Sequence, residues 1–167
     1  NRFSNLLKYN FINLQTVMLR AEVLKSLEYI FDPDLELSEE YDLFLRLAYK
    51  ENFGHLNSTV AVYRIHPKMS SIKNVGKYYD ESIKLIENLT DTFRDINTEF
   101  PSSILYFYAK TDYYRARSEM RKNNKVAAVQ RLSKYKYLSI QFFIIYYLAI
   151  CGPWFWKRVH IALGRYV

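Results

Sequence analysis

A chain of 167 residues is long enough for one domain or a large part of one, and with half its residues apolar it is not generally disordered. A single cysteine, Cys151, excludes an intrachain disulfide and a cysteine-based zinc cluster, and fits a reducing compartment. Charge is polarised: residues 1–105 hold 12 Lys/Arg against 15 Asp/Glu and residues 106–167 hold 12 against 2, which turns the C-terminal third towards nucleic acid, a lipid surface or an acidic protein.

The chain opens on Asn1 with no signal-peptide pattern, as a piece of a longer polypeptide would. FINLQTVMLR (11–20) is apolar and β-branched without helical spacing, which predicts a buried strand, and residues 22–30 suit a short helix. FDPDLEL (31–37) is a loop, because Pro33 fixes its own φ and keeps Asp32 out of the helical region. Ser38 is placed to cap a helix whose first turn holds Glu39, Glu40 and Asp42, running to about Glu51 and ending near Asn52–Gly54. HLNSTVAVYRIH (55–66) alternates as a strand does, and Pro67 ends it.

Apolar residues at three- and four-residue spacing predict an amphipathic helix over 76–97. Beyond Pro101–Ser103, helices over 103–122 and 125–137 form a hairpin about Asn123–Asn124. Residues 138–156 carry no charge in 19 positions, but Gly152–Pro153 divides them and leaves about 14 apolar residues, short for a membrane span. Lys134 and Lys136 precede this segment, Lys157 and Arg158 follow it, and Tyr137, Trp154 and Trp156 flank it. Those flanks suit a helix lying on a membrane surface; core packing and a partner interface are the alternatives.

A helical wheel separates the acids of SEEYDLFLRL (38–47). Glu39, Asp42, Arg46 and Lys50 share one stripe, predicted to be a solvated, ion-paired face. Glu40 falls with Leu43, Phe44 and Leu47, so it stands at the polar mouth of an apolar face. It either supplies favourable charge at a helix N-terminus or, partly desolvated, has the means to act as a general base.

SEEYDLFLRLAYKENFGHLNSTVAVYRIHPKMSS resembles the second half of the catalytic domain of family 2 glycosyltransferases of the GT-A fold. The resemblance rests on Glu39-Glu40-Tyr41-Asp42-Leu43, Leu45-Arg46-Leu47, Tyr63-Arg64-Ile65-His66 and Ser70-Ser71 in that order, with NLQTVMLRAEVL (13–24) upstream. It covers about residues 10–72. It implies an α/β fragment, the acceptor-side half of a GT-A domain with few strands plus helices over 1–72, followed by an all-α extension over 73–167.

The implied activity is that of an inverting glycosyltransferase moving a sugar from a nucleotide-sugar to a cell-envelope or lipid-linked glycan at the inner, cytoplasmic face of the cell membrane. Glu40 matches the position of the base, with Glu39 in reserve, although the family more often has aspartate there. Arg64 and His66 would approach the donor diphosphate, His66 also as a ligand to a divalent metal, Mn or Mg. The donor-binding half is expected upstream, so this chain alone would be inactive. The alternative is a non-catalytic basic helical module that grips nucleic acid or an acidic protein through KTDYYRARSEMRKNNK (110–125), though no nucleic-acid-binding motif is present.

Overall fold

The computed structural model describes residues 2–64 and 75–164. Nine α-helices occur among them: α1 Arg2–Lys8, α2 Ala21–Lys25, α3 Glu39–Lys50, α4 Val75–Thr92, α5 Ile96–Glu99, α6 Pro101–Arg121, α7 Lys125–Ser133, α8 Ile140–Ile150 and α9 Pro153–Ala162. No strand forms among the described residues, so the expected α/β fragment is replaced by an all-helical arrangement.

The physical reason lies in pairing, because extended backbone is stable only when its N–H and C=O groups meet a neighbouring strand. Residues 11–20 have no such neighbour. Asn13 instead accepts a hydrogen bond from the Gln15 amide and caps a single 3-10 turn over Leu14–Thr16, leaving Phe11 and Met18 exposed. Residues 55–64 alternate as predicted yet lie irregular, with Leu56, Val60 and Val62 in solvent. The pattern encodes strand chemistry without supplying the partner.

The helices follow local rules closely. Pro101 sits at the start of α6, where its missing N–H costs nothing. Asn124 caps α7 by accepting from the Ala127 amide, and Ser139 caps α8 by accepting from Phe142. Ser38 does occupy the cap position of α3, but its side chain makes no capping hydrogen bond. Gly152 takes φ 97° between α8 and α9, a conformation that favours glycine, so the uncharged stretch folds back as two short helices. No helix among the described residues is long and apolar enough to cross a membrane.

Helix α6 is the spine. Ile104 and Phe107 near its start join a core with Phe3, Leu6 and Leu7 of α1, Leu43, Phe44, Leu45 and Leu47 of α3, and Leu85, Ile86 and Leu89 of α4. Ala109 to Met120, further along, join a second core with Ala128, Leu132, Phe142, Leu148 and Trp156. The expected domain boundary at 72–73 falls outside the described residues.

Helix α3 corrects the wheel. Leu43, Phe44 and Leu47 are buried as expected, but so are Asp42 and Arg46, which were expected in solvent. The loop after α2 covers that stripe. Arg46 Nε donates to Asp42 Oδ2 at 2.8 Å, while its other nitrogens donate to the carbonyls of Tyr29 at 3.0 Å and Ile30 at 2.8 Å. The guanidinium also stacks on the Tyr29 ring, 4.2 Å from its centroid. A surface pair would contribute tenths of a kcal/mol; removing one partner of a buried pair costs about 3–5 kcal/mol.

Candidate active site

The start of α3 is held by the loop before it. Four residues one turn apart on α4 fasten that loop: Asn88 donates to Asp32 at 3.0 Å, Lys84 pairs with Asp34, Glu81 accepts the amides of Glu36 at 3.2 Å and Leu37 at 2.9 Å, and Lys77 pairs with Glu36. Positions 77, 81, 84 and 88 form one stripe of a helix, so the loop runs along α4 like a seam. A shallow depression of about 320 Å³ beside it is lined by Tyr29, Asp32, Pro33, Asn88, Asp91 and Thr92.

The seam delivers Glu39 and Glu40 to the neighbourhood of Glu81 and Tyr78. Glu40 is half-buried at the end of the apolar stripe of Leu43, Phe44 and Leu47. Burial pushes its carboxyl above the ordinary value, and the nearby Glu39 and Glu81 charges push the same way; a hydrogen bond from its own backbone amide opposes them. Tyr78, whose ring centroid lies 5.9 Å from that of Tyr114, is pushed up to about 12 by burial, by Tyr114 and by the Glu40 and Glu81 carboxylates. Three acids therefore crowd one place, with different duties. Glu81 is occupied by two loop amides, whereas Glu39 Oε2 is buried without a hydrogen-bond partner among the described residues.

Arg64 is exposed at the end of the irregular segment after α3. Its neighbour Tyr63 lies within electrostatic range of Tyr78. His66, Ile65 and the serines at 70 and 71 lie outside the described residues. Among the described residues no three His, Cys, Asp or Glu side chains are grouped so as to hold a metal ion.

Beneath the site, Tyr41 and Lys110 close the C-terminal end of α1. Tyr41 donates to the Leu6 carbonyl at 2.7 Å and the Leu7 carbonyl at 3.1 Å; Lys110 donates to Leu7 at 3.4 Å and to Tyr41 Oη at 3.2 Å. These carbonyls end a helix and want donors and positive charge. Burial lowers Lys110 to about 8.

The basic stretch 110–125 is divided: Arg121, Lys122 and Lys125 are exposed, while the part before them packs inward. Tyr113 and Ala116 are in the second core, Arg131 reaches across from α7 to Asp112, and Arg115 pairs with Glu119. Sequence reasoning missed Glu81 and Tyr78. The signal for Glu81 was present, because it lies four and eight residues before Leu85 and Leu89 on the apolar stripe of α4, as Glu40 precedes Phe44 on α3. No protein-family model, curated protein or solved structure matches this chain.

Proposed function

We propose that this chain carries the acceptor-binding side and the general base of an inverting glycosyltransferase, with Glu40 as the base. The observation that supports this most is the half-buried carboxylate at the start of α3, crowded by Glu39 and Glu81 and raised above its ordinary value. A base is most effective when its pKa approaches the working pH, and crowding by like charge with burial moves a carboxyl in that direction.

In the reaction, Glu40 takes the proton of an acceptor hydroxyl while that oxygen bonds to the anomeric carbon of a nucleotide-sugar. The bond from that carbon to the diphosphate breaks, the nucleoside diphosphate leaves with the electron pair, and the configuration inverts. Glu40 later returns the proton to water. Glu39, beside Glu40, is the reserve base, and Tyr78 offers a ring near Glu40. Arg64 is assigned to the donor diphosphate, since a guanidinium matches phosphate geometry. The nucleotide-sugar and a divalent cation belong to a donor half supplied by further polypeptide. The acceptor is a cell-envelope or lipid-linked glycan, and the enzyme works peripherally at the inner face of the membrane.

In the enzyme complete with its donor half, Glu40→Gln is expected to lower turnover by a factor of about 10²–10⁴, the usual contribution of a positioned base, and to leave the donor dissociation constant within twofold. Glu39→Gln, which removes a charge that raises Glu40, is expected to move the acid limb of the rate profile to lower pH. Full turnover by Glu40→Gln removes it from the mechanism.

A further inference from the structure

We propose that α8 and α9 form the face by which this chain lies on an anionic lipid surface. This deepens the membrane-side placement above and rests on it, but not on the role of Glu40.

Helix α8 is uncharged and, apart from Gln141, which accepts from the Tyr106 hydroxyl, aliphatic or aromatic throughout. Phe142, Leu148 and Ala149 point into the second core, whereas Ile140, Phe143, Ile144, Tyr147 and Ile150 face outward at three- and four-residue spacing. One side of α8 packs on α6, α7 and α9, and its opposite side is left uncovered; an exposed apolar stripe of this kind marks an interaction surface. The stripe continues past the Gly152 turn into Trp154, 66% exposed, and Phe155. On its other flank an apolar groove of about 640 Å³ between α7 and α8 opens beside Ile150 and Val126.

Charge selects the occupant. From Met120 to the end of the sequence there are nine Lys/Arg and no Asp or Glu. Lys134 and Lys136 stand before α8, and Lys157 and Arg158 follow the turn, Arg158 stacked on the Trp154 indole at 4.3 Å. A second copy of the same surface would bring cations against cations with no acid to pair them. A nucleic acid would use the charge but leave the aliphatic stripe in water. A bilayer containing acidic lipids satisfies both, each Lys or Arg near it adding attraction and each apolar side chain entering the headgroup boundary. At about 1.5 Å per residue α8 is some 16 Å long against a hydrocarbon core of about 30 Å, so it lies in the interface instead of crossing it.

The test uses the whole chain with vesicles of phosphatidylcholine alone or with about one-third phosphatidylglycerol, read by flotation and by tryptophan fluorescence. Expected results are partitioning at least about tenfold stronger onto the anionic vesicles, weakened severalfold by high salt. Brominated acyl chains should quench Trp154, a response that Trp154→Phe removes while the buried Trp156 stays silent. Phe143→Ser with Ile144→Ser, both solvent-facing and expected to leave the circular dichroism unchanged, should lower partitioning by about tenfold.

The proposal is overturned by indifference to lipid charge, or by undiminished binding of the double serine variant. It is equally overturned by a stable oligomer that buries the stripe, or by binding of single-stranded DNA or an acidic protein without vesicle binding. The double serine variant should still turn over a water-soluble acceptor in the complete enzyme, so failure of this surface and failure of Glu40 are read separately.

Discussion

Single side chains in this molecule are set by what covers them more than by their place on a helical wheel. Asp42 and Arg46 have the spacing of a surface pair, yet the Tyr29–Ile30 carbonyls close over them and make them an internal fastening. Lys110 is the reverse case, a cation drawn inward by the carbonyls at the end of α1 and held there at the expense of its hydration. In the folded chain it loses its proton near pH 8, whereas the unfolded chain keeps it to about 10.5. Between those values the unfolded state binds more protons, so stability rises with pH. Above about pH 10 Tyr78 acts the other way: it stays protonated to about 12 when folded, the unfolded chain releases protons first, and stability falls. Urea unfolding across pH 7–11 is expected to show a gain on the order of 1–2 kcal/mol up to about pH 9.5, then a decline. Lys110→Met should remove the rise and keep the decline. A rise that survives in that variant assigns it to another group.

At the scale of elements, the most consequential contact is the seam between the 32–37 loop and α4. Without it Glu39 and Glu40 would begin a helix with nothing to fix its entry. Glu81 is the central stitch, because two backbone amides depend on its two oxygens. Glu81→Ala is expected to cost about 1–3 kcal/mol, the penalty for stranding buried donors, and to speed hydrogen exchange at Glu36 and Leu37 well beyond the rest of the chain. Uniform acceleration across all helices would instead mean that Glu81 serves general stability. Much at this scale was legible in the sequence. Caps, prolines and apolar spacing locate α3, α4, α6 and α7 within a few residues, since local rules govern helices. The strands expected over 11–20 and 55–66 do not form in residues 11–20 and 55–64, for the complementary reason: alternation is a local property, but a strand requires a partner that no local pattern supplies.

Across the whole molecule, two cores share the α6 spine, one supporting the carboxylate cluster and the other the basic, apolar face of α8 and α9. The candidate site was half legible. Glu40 emerged from its stripe on α3, but its neighbours Glu81 and Tyr78 come from a helix about forty residues on, and only folding brings them together. The environment of Glu40 therefore reports on the packing of α3, the loop seam and α4 at once. A site-resolved ¹³C titration of the Glu40 carboxyl in the intact chain reads that environment directly. The midpoint should lie above the ordinary 4.5, fall when Glu39 or Glu81 is replaced by glutamine, and return to the ordinary value in urea. A midpoint at or below 4.5 in the folded chain, unmoved by either substitution, would contradict the claim that Glu40 is poised as a base.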